Sequence, residues 1–216
     1  MQIRLHPSVL AADFANMESE LARIDSADAV HVDVMDNHFV PGLTFGPQMV
    51  ARIAQVSPIP LDVHLMIENP DLHALAYAQL GAQSVTFHVE AARDSHAIIS
   101  ALHEAGSLAG IALKPGTALE PYYELFHEVD MVLLMTVEPG AGGQKFMPDM
   151  MPKLEALAGY LKDHGLTPLV QVDGGITTTT LPIALRSGAN TFVAGSSVYG
   201  SGEPNSNIEA LRACAH

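Results

Sequence analysis

The segment AVHVDVMD sets His31 and Asp33 two residues apart in a strand-like run, and the period-two alternation of a strand turns both to the same side of its sheet. An imidazole and a carboxylate pointing together can hold a metal ion. Two later runs, LDVHLM and VQVDGG, carry His64 and Asp173 in similarly polar positions. If these strand ends converge, one divalent ion sits among two histidines and two carboxylates, the equipment of an enzyme rather than of a binding module. Each residue alone has a plainer reading, with His31 and His64 as core histidines and Asp33 as a solvated carboxylate. Asp173 says more, because a charge entering a barrel needs a metal, a donor or a proton to offset its desolvation. Mixed nitrogen and oxygen donors suit Zn2+, Mn2+, Fe2+ or Co2+ better than a soft copper site. The chain has no CxxC series and no HExxH helix, so neither a zinc finger nor a standard metallopeptidase is indicated.

Glycine-rich segments supply the second half of a site. Gly140, Ala141, Gly142 and Gly143, followed by Gln144, come after the sixth strand-like run; Gly174 and Gly175 follow the seventh, Gly195 and Ser196 the eighth. Loops after the last strands of a β/α barrel commonly bind phosphate through backbone N–H groups. The GAGG segment alone is equally well a tight turn, whereas the three locations together favour phosphate. None of them matches GxGxxG or GxxxxGK[ST], so no nucleotide cofactor is expected. Ser8 ends the first run, where its hydroxyl either meets a substrate or closes a local turn. Met35, Met66 and Met135 fall near strand ends, as plain packing or as an adaptable apolar wall around a reacting centre. Lys114, before Pro115 and Gly116, is a loop-entrance residue or a Schiff-base lysine, the latter requiring a depressed pKa. Cys214 is the only cysteine and cannot form an internal disulfide.

Such residues need a scaffold that gathers several strand ends. The runs IRLHPSVL, AVHVDVM, PLDVHLMI, SVTFHVE, LAGIALK, VDMVLLMTV, LVQVDGG and NTFVAGS recur along the chain with helically spaced segments between them, the alternation of parallel β/α architecture. Eight strands in 216 residues suit a closed (β/α)8 TIM barrel better than an open sheet, which would leave edges and gather its ligand at one switch point. Met17, Leu21 and Ile24 share a helical face after Asp13, a candidate N-cap. Leu154, Leu157 and Leu161 do so in the sixth unit, and the threonines at 177–180 open a further helix. No linker divides the chain, so residues 1–216 are expected to form a single domain. The expected location is cytoplasmic, since there is no apolar run near twenty residues and MQIRLHPSVL lacks the pattern of a secretion signal. A formal charge of -14 disfavours nucleic acid and anionic membrane as partners but leaves room for a small phosphorylated substrate.

The pieces HPSVLAADF, HVDVMDNHFVPGLTFGP, LDVHLMIENP, MTVEPGAGGQKF, VDGGI and FVAGSSV, in this order, make the chain resemble the ribulose-phosphate 3-epimerase family over essentially its whole length. The resemblance implies a barrel of the ribulose-phosphate-binding type with one divalent ion per subunit. It also implies inversion at C3 of D-ribulose 5-phosphate to D-xylulose 5-phosphate through an enediolate. It assigns His31, Asp33, His64 and Asp173 to the metal, and Asp33 and Asp173 to acid/base work. Ser8, His64 and Asp173 would meet the substrate, and Gly140, Ala141, Gly142, Gly143, Gly174, Gly175, Gly195 and Ser196 would form its phosphate-binding loops. Met35, Met66 and Met135 become the apolar wall, and homo-oligomers, each subunit with a complete centre, are implied as well. One departure is Ala141, where the family loop usually reads PGFGGQ. Loss of that aromatic side chain bears on loop closure and on the choice of sugar. Allulose-6-phosphate 3-epimerase is therefore kept as an alternative, with a non-catalytic phosphometabolite-binding barrel behind it.

Overall fold

Alternating apolar side chains give each of the eight runs two buried faces, as parallel strands covered by helices require. In the computed structural model, which describes residues 3–215, the strands are β1 (Arg4–Pro7), β2 (Val30–Met35), β3 (Leu61–Met66), β4 (Ser84–His88), β5 (Leu108–Leu113), β6 (Met131–Met135), β7 (Leu169–Asp173) and β8 (Thr191–Ala194). All ladders are parallel, in the order β1-β8-β7-β6-β5-β4-β3-β2, which curls the sheet into the expected (β/α)8 barrel. The helices are α1 (Met17–Ala22), α2 (Pro47–Val56), α3 (Pro70–Gln79), α4 (Ser95–Glu104), α5 (Met151–Asp163), α6 (Leu181–Arg186), α7 (Ser196–Tyr199) and α8 (Pro204–Ala213).

Between β1 and β2 there is a seam. A single parallel bridge, Ser8 to His31, joins them. Below it, Asp28 closes the gap by accepting from the Leu5 N–H (2.8 Å) and from Arg212 of α8 (2.7 Å), while its own N–H donates to the Leu5 carbonyl.

The strand period sorts the two layers. Val30, Val32 and Val34, with Leu61, Val63 and Leu65, belong to the continuous core beneath the helices. Their alternates face the barrel interior. Register then sets the height of each inward group: Asp33 pairs with His64, Met35 with Met66, and Met135 with Asp173.

Three local expectations need correction. Asp13 does not cap α1; its carboxylate accepts from the Ala15 N–H and caps a 3-10 turn, Phe14–Asn16, that precedes the helix. Ile24 lies beyond the end of α1, although it is as buried as Leu21. The β5–β6 connection contains no α-helix but two 3-10 turns, Glu120–Tyr122 and Glu124–His127. Pro121 falls inside that short connection, removes an N–H, and is followed by two tyrosines of modest helix propensity. Elsewhere the stripe Leu154, Leu157, Leu161 is buried in α5 as its spacing requires. Among the threonines, Thr177 closes the turn ahead of α6, its hydroxyl accepting from the N–H groups of Thr179 and Thr180, while Thr180 at the N-cap makes no side-chain cap bond.

Candidate metal centre and substrate cavity

His31, Asp33, His64 and Asp173 converge inside the barrel from β2, β3 and β7, and each offers one donor atom within 4.8 Å of the others. His64 Nδ1 lies 3.2 Å from Asp33 Oδ1 and 3.7 Å from Asp173 Oδ2; His31 Nε2 lies 3.4 Å from Asp33 Oδ1. His31 Nε2 is buried and has no hydrogen-bond partner among the described residues. An orphaned imidazole nitrogen facing a carboxylate is costly unless something accepts its lone pair. The mixed nitrogen and oxygen donor set therefore fits a divalent ion, and the cluster is able to coordinate one.

The two histidines are held from behind in different ways. His31 Nδ1 lies 2.9 Å from Asp62 Oδ2, a fully buried carboxylate that also meets His6 Nδ1 (2.8 Å) and accepts from Gln171 Nε2 (2.7 Å) and Ser84 Oγ (2.7 Å). His64 Nε2 instead lies 3.0 Å from His88 Nε2, and His88 Nδ1 lies 3.1 Å from Glu90 Oε2. Ser8 accepts from the Leu10 N–H, the local turn bond expected of it, and also donates to Asp33 Oδ2 at 2.5 Å, a partner the residue order did not suggest.

Burial alone would raise both carboxyls of the cluster, but their neighbours divide them. The His31 and His64 rings hold Asp33 well below the usual carboxylate range. Asp173 is pushed up to about 6 by burial and by the Asp33 charge. Burial disfavours a charged His31, yet Asp33 and Asp62 outweigh it and hold the ring well above the ordinary histidine value. The centre attracts a positive charge. His88, buried in turn, is pushed down to about 4 despite Glu90.

Above this cluster opens a cavity of about 220 Å³, lined by Ser8, Asp33, Asp173, the three methionines and the glycine loops. Met35, Met66 and Met135 are all nearly inaccessible, as a wall must be. Gly140, Ala141, Gly142, Gly143, Gly174, Gly175, Gly195 and Ser196 all reach the same cavity. Gly140 takes φ +117°, where a Cβ would stand 2.9 Å from Val40 Cβ; the β6 and β2 loops thus meet directly over the site. Gly175, at φ +65°, leaves no room either, since a Cβ would lie 2.3 Å from the Phe146 nitrogen. Gln144 folds back on this loop and donates to the carbonyls of Glu138 and Ala141. Ala141 is exposed.

Lys114 is no Schiff-base candidate. It lies outside the cavity lining, and its Nζ sits 3.8 Å above the Phe39 ring centroid. Cys214 is partly buried at the end of α8, with Sγ donating to the Leu211 carbonyl. The groups that sequence reasoning missed are Asp62, His88 and Glu90. The signal was present, since Asp62 precedes His64 by two residues and His88 precedes Glu90 by two, the same alternation that singled out His31 and Asp33.

Comparison with known proteins agrees with this geometry. The model of the ribulose-phosphate 3 epimerase family matches residues 4–199. A ribulose-phosphate 3-epimerase of Mycobacterium bovis is 48% identical over 206 residues, covering 95% of this chain and 90% of that protein. The cytoplasmic isoform of the rice enzyme, from Oryza sativa subsp. japonica, is 43% identical over 215 residues, covering 97% and 92%. The crystal structure of KGPDC from Streptococcus mutans superposes with a TM-score of 0.76 over 100% of this chain and 98% of that one; at 13% identity this likeness concerns the fold alone. The relatives' identity and coverage, with the family model running through every strand of the barrel, place the chain in the ribulose-phosphate 3-epimerase family.

Proposed function

We propose that Asp33 and Asp173 are the acid/base pair with which this epimerase inverts C3 of D-ribulose 5-phosphate to give D-xylulose 5-phosphate. The observation that carries the reading is that two carboxylates from β2 and β7, strands separated in the barrel by β1 and β8, meet in one site with opposite displacements of their acidity. Environments that push two titrating groups apart separate an acid from a base. Asp33, ionised, takes the C3 proton from one face, and Asp173, protonated, returns one from the other; the roles exchange in reverse. The C3 proton is acidic because the ketone is adjacent, and its removal gives an enediolate. Ser8 orients Asp33 through its 2.5 Å hydrogen bond. A divalent ion held by His31, Asp33, His64 and Asp173 supplies stabilisation of the negative charge that develops on the substrate oxygens. Met35, Met66 and Met135 keep water away from the reacting carbon, while His64, fully buried and outside the cavity lining, serves through the ion. The N–H groups of Gly142, Gly143, Gly174, Gly175, Gly195 and Ser196, with the turn at Gly140 and Ala141, receive the phosphate. In D2O, deuterium should enter C3 in step with epimerisation; turnover without exchange would rule this mechanism out.

A second substrate reading, allulose 6-phosphate, is favoured by the exposed Ala141 beside the cavity. Side-by-side kcat/KM values decide between the sugars, and the pentose is expected to lead. A binding-only barrel would convert neither. The whole chain works as one catalytic unit in this reading, supported by the origin of every candidate group in a single sheet. Self-association into homo-oligomers is supported by the exposed Phe14, Leu43 and Leu72, and light scattering across a dilution series tests it. A cytoplasmic location is supported by the rice relative's designation as a cytoplasmic isoform. Among the described residues no helix is long and apolar enough to cross a membrane.

A further inference from the structure

The structure assigns Glu90, acting through His88, the task of a positioning residue that keeps the lone pair of His64 Nδ1 turned toward the metal site. The inference rests on the reading of His64 as a ligand. Its logic is a matter of which atoms can donate. Glu90 Oε1 accepts from the Lys114 backbone N–H at 2.7 Å and from the Thr117 hydroxyl at 2.5 Å. The backbone donor is fixed by the end of β5 and cannot turn away. Glu90 Oε2 faces His88 Nδ1, and a carboxylate can only accept, so Nδ1 carries the hydrogen. In a neutral ring Nε2 of His88 is then an acceptor. It lies 3.0 Å from His64 Nε2, which must supply the hydrogen. With that hydrogen on Nε2, Nδ1 is the atom a neutral His64 can offer to an ion shared with Asp33 and Asp173, whose oxygens lie 3.2 and 3.7 Å away.

The opposite arrangement has a definite cost. With hydrogen on His64 Nδ1, two bare nitrogens would confront each other at 3.0 Å unless His88 turned its own hydrogen inward, and its Nδ1 lone pair would then oppose Glu90. Both histidines are fully buried and so is the bond between them, so water cannot relieve the conflict between the two rings; Glu90, at the rim, is partly exposed. His31 is oriented by one carboxylate directly, whereas His64 is oriented by a carboxylate one ring away, at the rim of the barrel.

Glu90→Gln tests the assignment. The fixed Lys114 N–H holds the amide oxygen, so the amide nitrogen turns to His88 and reverses the polarity of the whole relay. Nitrogen NMR of the metal-stripped protein should show His64 Nε2 carrying a hydrogen in the wild type and bare in the variant. Zn2+ binding, followed by chelator competition, should weaken about 10–100-fold, the usual effect of losing an outer partner of a ligand histidine. His88→Leu should weaken it similarly. His88→Gln, whose oxygen can accept from His64 while its amide donates to Glu90, should restore binding to within about threefold, a rescue that a merely space-filling role does not provide. An unmoved proton and wild-type Zn2+ affinity in Glu90→Gln would overturn the assignment, as would equal losses in both His88 variants. His64→Ala separates the underlying reading: Zn2+ bound as tightly as in the wild type would remove His64 from the ligand set, whatever Glu90 does.

Discussion

The inner wall contributed by β2, β3 and β4 carries His31, Asp33, Asp62, His64, Ser84, Thr86 and His88, whereas the wall of β5 and β6 carries Gly110, Ala112, Leu133 and Met135. Both are sealed from solvent, and both come from strands of similar length in the same parallel sheet. The polar wall is a chain of obligations in which, among the side chains just named, only His31 Nε2 and Thr86 Oγ1 go unanswered. The apolar wall has only shape to offer. Most of the polar groups thus sit on one side, topped by Met35 and Met66, and complete their cluster with Asp173 of β7, while the other side is apolar throughout, so changes on the two sides should fail in different ways.

The widest separation comes from Asp33→Asn and Asp173→Asn. Each should lower kcat by about 10²–10⁴-fold, the usual worth of a general acid or base, while the variants fold and circular dichroism stays unchanged. His31→Ala comes next: elemental analysis of the folded variant should find the ion lost along with activity. The wild-type ion should also be released as pH falls, starting above the ordinary histidine range, because Asp33 and Asp62 hold the proton on His31 and protons then compete with the metal. Metal retained by His31→Ala would dissolve the contrast between the walls. On the apolar side, Leu133→Ala should cost about 2–5 kcal/mol in denaturant unfolding through the cavity it leaves, with metal content unchanged.

A smaller effect has the reverse sign. In metal-free protein Asp173 titrates at about 6 when folded and near the ordinary 3.8 when unfolded, so the native state binds the extra proton. Stability from this group is complete below about pH 4 and is lost as pH rises through 6. Asp173→Asn should consequently stabilise the metal-free protein at pH 8 by up to about 3 kcal/mol, with no gain below pH 4. Equal melting of the two proteins at pH 8 would mean that the carboxylates do not repel as described. The smallest effect belongs to Ala141→Phe. Narrowing the rim should shift the ratio of kcat/KM between pentose and hexose phosphates by about 10-fold or less, the scale on which a pocket discriminates by size.

How much of this could be read from residue order follows the reach of each interaction. Strand alternation is local, so His31 with Asp33, and the eight β runs, stood out directly. That His64 and Asp173 would join them depended on register between distant strands, which alternation alone does not fix; the resemblance to a family supplied it. Asp62, His88 and Glu90 were overlooked because the contacts that tie them to the site, to His31, His64 and Lys114 respectively, span 24 to 31 positions, and a buried carboxylate reads as an error until the histidines around it are known. The missing helix between β5 and β6 was legible in Pro121, whereas the capping shift at Asp13 turned on which backbone N–H the chain happens to present.

The seam between β1 and β2 has a consequence for motion. Where other neighbours share a ladder, these two share one bridge, and the ring is completed by Ser8 reaching Asp33 and by His6 and His31 converging on Asp62. Asp33 and His31 are also members of the cluster that can grip an ion. An ion that binds only the closed ring suppresses opening by the factor one plus its concentration over its Kd. Slowed amide exchange along β1 and β2 on titration with metal would make breathing of the barrel a gauge of how full its centre is.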